Sequence, residues 1–136
     1  MMAWVVDSCV LLDIRMNDAD FGLASATCLA QHLSEGLTIA PITYVELAPA
    51  FKGDALIQNA FLEQTGIEWL TWWTRIDTEV AYQLWAAHVQ KKRAGQGSKR
   101  PVADVFIEAF AKQFQGLITR NSKHFTTVPV IVPARG

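Results

Sequence analysis

The sequence predicts an α/β fold in which helices cover a mainly parallel β-sheet. Short apolar runs of strand length alternate along the chain with longer stretches of helical periodicity. The first run, residues 3–6, is continuously apolar, which is typical of a strand buried on both faces of a parallel sheet. Because 136 residues suffice for one hydrophobic core, we expect a single domain spanning residues 1–136.

In the first half of the chain, strand signals alternate with helix signals. Ser8 is a suitable N-cap for a short helix, and Gly36 ends a longer one. Thr43 and Glu46 have the spacing of a capping box, which predicts that a helix begins there with Glu46 in its first turn. The expected strands are residues 3–6 and 37–40, and the longer helices are residues 22–34 and 55–65.

The middle of the chain predicts a strand followed by a long helix. Aromatic and β-branched residues between positions 67 and 73 favour the strand. The helix resumes after Asp77 or Thr78 and runs to about Arg93. Two glycines and a serine then predict a loop over residues 94–100.

The last part of the chain predicts one helix and two strands. Pro101 is well placed to open the helix, and Gly116 to end it. Helical spacing predicts one buried stripe, with Asp104 and Glu108 together on a different face. The stripe consists of Val102, Phe106, Phe110 and Phe114, and the strands are residues 117–119 and 128–132.

Acidic and basic residues are segregated along the chain, although the net charge is only -1. Residues 1–90 hold three basic side chains against eleven acidic ones, giving -8, and residues 91–136 hold nine against two, giving +7. Lysine and arginine neutralise phosphates, so the basic part suits a polyanion if it forms one surface. A solvated helix end would explain the same charges.

The composition also predicts where the protein resides. The apolar stretches are too short to cross a bilayer, and residues 1–6 lack the basic start of a signal peptide. We therefore expect a soluble cytoplasmic protein. Cys9 and Cys28 lack the spaced partners of a disulfide framework or a zinc site, so we interpret both as core residues.

Four polar residues stand just beyond expected strands or at the start of a helix: Asp7, Glu46, Asp104 and Asn121. Ligands of open parallel sheets bind beyond the carboxyl ends of the strands, so the four can converge at one mouth. Like charges about 4 Å apart repel by about 4 kcal/mol at an effective dielectric of 20, a cost that a divalent cation removes. Oxygen ligands without Cys or His clusters favour magnesium or manganese over zinc.

Four short segments identify a family only when they are taken together. Each is a weak signal alone, whereas their order and spacing along the chain are more specific. They are V-V-D-S at residues 5–8, P-I-T-Y-V-E at 41–46, A-D-V-F-I-E-A at 103–109 and L-I-T-R-N-S-K-H-F at 117–125. Together they resemble the PIN-domain family, specifically the VapC-type ribonuclease toxins of bacterial toxin-antitoxin systems. The resemblance spans nearly the whole chain.

The resemblance implies a PIN-like three-layer α/β/α sandwich with a central, mainly parallel sheet of four to five strands. It also implies that Asp7, Glu46 and Asp104 are catalytic and hold the metal, Mg²⁺ or Mn²⁺, because the family has acids at the matching positions. The family's fourth position commonly carries Asp. Here it is Asn121, which offers a carbonyl oxygen but no charge and so weakens a second metal site.

The activity implied by the resemblance is hydrolysis of an RNA phosphodiester by metal-activated water, with in-line attack that leaves a 5′-phosphate. The family also implies a cognate antitoxin, a homodimer and a structured substrate such as transfer RNA. Basic residues near the acidic centre would attract the RNA backbone: Lys91, Lys92, Arg93, Lys99, Arg100, Arg120 and Lys123. Three tryptophans belong either to the core or to a subunit or antitoxin contact: Trp69, Trp72 and Trp73.

Each site residue also has a purely structural explanation. Asp7 and Ser8 can act as helix caps, and Glu46 can complete the capping box. Asp104 can complement the helix dipole, and Asn121 can be a turn residue.

The other acids and the histidines are expected to have structural roles. Glu108 is expected to face solvent, and Asp13 and Asp77 to be surface or capping acids. Packing or surface roles are expected for the three histidines, which have no metal-like spacing: His32, His88 and His124.

The main alternative function is a non-catalytic PIN-like module that binds RNA or a protein partner, and Asn121 favours it. A phosphatase that uses Asp7 has little support. Haloacid-dehalogenase-like phosphatases carry a second acid two places later, where this chain has Cys9.

Overall fold

A computed structural model describes residues 2–70, 72–95 and 100–134. Within these residues the chain forms a five-stranded sheet whose neighbouring strands are all parallel. The strands are β1 (Trp4–Val6), β2 (Leu37–Thr38), β3 (Ile67–Glu68), β4 (Gly116–Ile118) and β5 (Val130–Ile131). Their order across the sheet is β3-β2-β1-β4-β5.

Six α-helices lie in the same described ranges: α1 (Ser8–Arg15), α2 (Gly22–His32), α3 (Pro41–Glu46), α4 (Ala55–Gln64), α5 (Arg75–Arg93) and α6 (Val102–Ala111). Three short 3-10 helices connect them to neighbouring elements: Leu33–Glu35, Ala48–Phe51 and Ser122–His124. None of the helices in the described ranges is both long and apolar enough to span a membrane.

The two faces of β1 belong to two separate hydrophobic clusters. Trp4 and Val6 pack in one cluster with residues of α1, α2 and α4, whereas Val5 packs in the other with Ile107 and Phe110 of α6. Successive side chains of a strand point to opposite faces, so both faces of the sheet are covered by helices. The three-layer α/β/α sandwich expected from the sequence is confirmed.

The order of the strands reverses beside β1. The chain runs outward from β1 through β2 to β3 on one side, and it returns to place β4 and β5 on the other side. Val6 is paired with Ile118, so Asp7 and Thr119 leave the sheet next to each other. In open parallel sheets this switch point is where ligands bind.

Helix α3 begins three residues earlier than the capping-box spacing predicts. Pro41 occupies its first turn, where a missing N–H costs nothing, and Ala40 is the N-cap. Thr43 caps nothing, because its hydroxyl is buried without a hydrogen-bond partner among the described residues. The prediction that Glu46 lies in a first turn is therefore wrong, since Glu46 is the last residue of α3.

Other boundaries also differ from those expected. The strand predicted over residues 67–73 pairs only at Ile67 and Glu68, and the Glu68 carboxylate accepts the Leu70 N–H just beyond the ladder. Thr71 of that prediction lies outside the described residues. Helix α5 begins at Arg75, earlier than predicted, and Thr74 and Asp77 form its capping box.

The apolar stripe predicted on α6 is partly right. Phe110 is fully buried, and Phe106 and Phe114 are half-buried. Val102 is 46% exposed because it is the first residue of the helix, where no neighbouring element covers it fully. The helix ends at Ala111, and Gly116 opens β4 instead of ending α6.

Candidate active site at the switch point of the sheet

Asp7 is held in one orientation at the end of β1. Its carboxylate accepts the Ser8 N–H at 2.7 Å and the Thr119 hydroxyl at 2.7 Å. Asp7 is thus the N-cap of α1. The expectation that Ser8 caps this helix is wrong, because Ser8 is the first residue of α1. Because Thr119 comes from β4, the same hydrogen bond ties together the ends of the two strands that flank the switch point.

The Asp7 carboxyl has a raised pKa. Burial is the largest cause, since only 4% of the residue is exposed, and the negative charge of Asp104 adds to it. Hydrogen bonds from Thr119, Ser8 and Cys9 act in the opposite direction by stabilising the ionised form. A carboxylate in these surroundings is stabilised further by any positive charge placed beside it.

Glu46 points its carboxyl toward the same region from the end of α3. The residue as a whole is exposed, yet desolvation of the carboxyl is the main cause of its raised pKa. The negative charges of Asp7 and Asp104 raise that pKa further, whereas a hydrogen bond with the Ser8 side chain lowers it. Ser8 therefore connects to both Asp7 and Glu46, although it does not cap the helix.

Asp104 lies in the first turn of α6, facing the end of β4. Its Oδ2 is 2.7 Å from His124 Nδ1, and its backbone carbonyl accepts a hydrogen bond from Arg100. The side chain is 18% exposed, so it is accessible from outside while one oxygen is held. His124 is thus an orienting partner of Asp104, a role that its isolated position in the sequence did not reveal.

Three carboxyl groups therefore interact electrostatically across the switch point: Asp7, Glu46 and Asp104. Within residues 2–70, 72–95 and 100–134, however, no group of three His, Cys, Asp or Glu side chains could hold a metal ion as it stands. Both findings fit a hydrated Mg²⁺, which keeps several waters and needs only one or two protein carboxylates. The donor chemistry suits such an ion, because the donors are carboxylate oxygens whose mutual repulsion a divalent cation relieves.

Asn121 is connected through its backbone to the acidic cluster, which consists of Asp7, Glu46 and Asp104. Its N–H donates to the Thr119 hydroxyl at 3.0 Å, and that hydroxyl donates to Asp7. The residue is exposed and precedes the 3-10 helix Ser122–His124, which its side chain does not cap. This chain of hydrogen bonds fixes the backbone at Asn121 relative to Asp7.

Glu108 is the clearest correction to the expected surroundings of the site. It is 1% exposed, not solvent-facing, and it pairs with Arg100 at 2.6 Å. Its other oxygen accepts the N–H and the hydroxyl of Thr127. A buried carboxylate requires such partners, and Arg100, which precedes α6, supplies the compensating positive charge.

Asp13 is a second correction. It was expected at the surface or as a cap, but it is 5% exposed and forms a two-pronged ion pair with Arg120 at 2.6 and 2.8 Å. Ser25 also donates to it. The guanidinium of Arg120 lies over the ring of Phe21 as well, so Arg120 is held by α1 and the loop before α2. Asp77 keeps its predicted capping role, although it is buried.

The basic residues expected around the acidic centre divide into two groups. Arg100 and Arg120 are committed to buried acids. Lys91 and Lys123 line a cavity together with His124, and Lys92 and Arg93 line an adjoining one. Lys99 lies outside the described residues.

The two cysteines are free, and Cys9 adjoins the site. Its thiol donates to Asp7 at 3.6 Å. Burial and then the charge of Asp7 raise the pKa of Cys9 to about 11, so the thiolate is scarce at neutral pH. Cys9 is therefore unsuited to be a nucleophile. Cys28 is buried in the core as expected.

Sequence reasoning overlooked two polar partners in the site. Thr119 is fully buried and holds Asp7, and His124 holds Asp104. The segment at residues 117–125 contains both residues on either side of Asn121, so their nearness to a candidate site residue was visible in the sequence. Recognising them requires knowing that β4 lies beside β1, which is a long-range feature.

No protein-family model and no curated protein matches the chain by sequence. Comparison of structures does find solved chains with a similar fold. One match is a chain in the crystal structure of VapBC2 from Rickettsia felis, which was solved with a DNA fragment from the promoter of VapBC2. Its TM-score is 0.69 and its sequence identity is 15%. The match covers 96% of this chain and 98% of that chain. The likeness shows that this chain has the α/β fold of that PIN-like neighbour.

Proposed function

We propose that this chain is a metal-dependent endoribonuclease and the toxin of a toxin-antitoxin pair, with Asp7, Glu46, Asp104 and Asn121 as its catalytic residues. The observation that carries the proposal is geometric: Asp7 follows β1 and is held by Thr119 at the end of β4, and Asp104 contacts His124 just beyond β4. The charges of both acids raise the pKa of Glu46, as expected for a third carboxyl group close to them. The three groups meet at the switch point of the sheet, where ligands of such sheets bind.

A divalent cation held here, Mg²⁺ or Mn²⁺, would supply an activated water and would offset the charge that develops on the phosphoryl oxygens. Asp7, Glu46 and Asp104 are its proposed ligands. Thr119 and the Ser8 N–H hold the Asp7 carboxylate, so that its position is fixed before the ion arrives. His124 does the same for Asp104 by contacting one oxygen and leaving the other available.

The proposed partners are an RNA substrate, with transfer RNA as one candidate, a cognate antitoxin and a second copy of the chain. The fold likeness to the VapBC2 chain supports the antitoxin, because the name of that complex describes a two-component assembly. The exposed Trp72, at 84%, supports a protein contact of some kind, since aromatic residues are enriched in interfaces. A solution mass of two chains at micromolar concentration is the result expected for the dimer, and a monomer would contradict it.

The central experiment measures cleavage of RNA by the purified chain with Mg²⁺, with Mn²⁺ and with a chelator. Cleavage is expected only with a metal, and Asp7→Asn and Asp104→Asn should each lower the rate by at least about 100-fold, because each removes a proposed metal ligand. Glu63→Gln is the matched control, since it neutralises an exposed acid on α4. Unchanged cleavage in both site variants would reject the proposed site.

A non-catalytic PIN-like module that binds RNA or a protein remains the second candidate. One observation favours it, which is that Asn121 brings no charge to the site. Such a module would bind RNA and leave it uncut in the presence of either Mg²⁺ or Mn²⁺. Recovering the bound RNA in the cleavage assay and finding it intact would therefore distinguish this module from the nuclease.

A further inference from the structure

A polar cavity lies beside the acidic cluster, between α5, α6 and the 3-10 helix Ser122–His124. Its volume is about 250 Å³, and Lys91, Arg100, Lys123 and two histidines contribute to its lining. The lysines come from separate elements, 32 residues apart in the sequence. The fold therefore gathers positive charge that the sequence alone does not place together.

The arginine of this cavity is neutralised internally, whereas the lysines are not. Arg100 pairs with Glu108, and the second oxygen of Glu108 is satisfied by Thr127. No ion pair joins Lys91 or Lys123 to an acid within the described parts of the chain. The lining therefore includes Lys91, Arg100 and Lys123 against one acid, Glu108, an excess of two positive charges that a bound anion would balance.

His124 places this cavity next to the proposed reaction centre. The residue lines the cavity, and its Nδ1 contacts the Asp104 carboxylate at 2.7 Å. Only one imidazole ring thus separates the acidic cluster from the lysine-lined space. A strand of RNA carries one negative charge per nucleotide, so a phosphate lying in the acidic site has a charged neighbour close by.

The positive charge continues on the far side of the cavity. A second cavity, of about 430 Å³, shares His88 and Arg100 with the first and adds Lys92 and Arg93 to its lining. Lys92 and Arg93 lie in the last turn of α5, so the two cavities together form a basic surface along the end of that helix. Such a surface suits an extended polyanion better than a small isolated anion.

We propose that the cavity lined by Lys91 and Lys123 binds the RNA phosphate that neighbours the one undergoing cleavage. The inference rests on the proposed function, because it assumes that the scissile phosphate lies at Asp7, Glu46 and Asp104. Lysine suits this role, since its ammonium group is a mobile point charge that follows a flexible backbone. Lys91 and Lys123 thus position the substrate and take no part in the chemistry.

The test measures RNA binding without cleavage. The parent is the Asp7→Asn variant, and its affinity for a fluorescent single-stranded RNA is measured by anisotropy at several salt concentrations. The double variant Lys91→Gln/Lys123→Gln is compared with Lys52→Gln/Lys112→Gln, which removes the same charge from exposed lysines that do not line the cavity. Thermal unfolding of each variant checks that the fold is retained.

The cavity variant is expected to bind about 10-fold more weakly than the control, and its salt slope should fall by about 0.7, the value for one phosphate contact on a single strand. Equal affinities and slopes in the two double variants would overturn the inference. If the native chain cleaves RNA with metal but the two double variants bind RNA equally well, only the phosphate site is overturned. If the cavity variant binds RNA more weakly than the control but the native chain cleaves no RNA, only the nuclease is overturned.

Discussion

The ion pair between Asp13 and Arg120 offers a sharp test of how this fold is stabilised. Arg120→Met keeps an unbranched apolar stem, but it removes the guanidinium that pairs with Asp13 and lies over the ring of Phe21. The Asp13 carboxylate, which is 5% exposed in the native chain, then keeps the Ser25 hydroxyl as its side-chain partner among the described residues. The variant therefore leaves a buried charge without compensation.

The expected loss follows from the burial of the two partners. Breaking a buried ion pair by removing one member costs about 3–5 kcal/mol. The Arg120 side chain is 28% exposed, so water screens part of the interaction and the lower end, about 3 kcal/mol, applies. Against a total stability of about 5–15 kcal/mol, this is a large fraction. The melting temperature should fall by about 12 °C, at about 4 °C per kcal/mol.

Urea unfolding followed by circular dichroism measures the free energy of unfolding. Arg75→Met is the matched control, because the pair of Arg75 with Glu79 has side chains that are 89% and 59% exposed, and its loss should cost less than about 0.5 kcal/mol. Asp13→Leu combined with Arg120→Met should regain part of the loss, since no lone charge remains buried. A cost below about 1 kcal/mol for Arg120→Met, close to that of the control, would refute the reasoning.

Three further predictions concern the site. Because the pKa of the Asp7 carboxyl is raised in the folded state, the folded chain binds more protons than the unfolded chain above pH 3.8, so stability falls as the pH rises through the folded pKa. Asp7→Asn should therefore stabilise the metal-free protein at pH 7 in urea unfolding while abolishing any stabilisation by Mn²⁺; a less stable variant would contradict the burial argument. His124→Gln should lower the cleavage rate about 10–100-fold with the melting temperature nearly unchanged, because it frees Asp104 to turn, and a rate equal to that of the native chain would remove His124 from the site. Cys9, with a pKa of about 11, should react with iodoacetamide at pH 8 about 100-fold more slowly than a free thiol, as followed by mass spectrometry, and fast labelling would indicate that its surroundings open.

Local patterns in the sequence predict the strand at residues 3–6 and the acid that follows it. The continuous apolar run has no polar face, so only a strand covered on both sides explains it, and Asp7 must then lie at an end of the sheet. The expected convergence of Asp7, Glu46 and Asp104 agrees with the raised pKa values of Asp7 and Glu46, to which the charge of Asp104 contributes in both cases. Their role as metal ligands remains a prediction.

The errors at Glu108 and Asp13 have one cause, which is a partner that lies too far along the chain for a short pattern to include it. Glu108 looks like a solvent-facing residue because its own helix offers no partner, whereas Arg100 reaches it from the preceding loop. Asp13 is paired with a residue 107 positions away. The capping-box spacing of Thr43 and Glu46 fails for a local reason, since Pro41 opens the helix first. Patterns of three or four residues carry no information on partners that distant.

The central position of β1 has a consequence for synthesis of the chain. β1 is translated before β4, so the edge of β1 that pairs with β4 stays unpaired until that strand has been made, more than 100 residues later. Thr119, which holds Asp7, arrives with that same segment. The Asp7 carboxylate therefore cannot adopt its final orientation until β4 and Thr119 have been translated, so one half of the site waits for a distant segment of the chain.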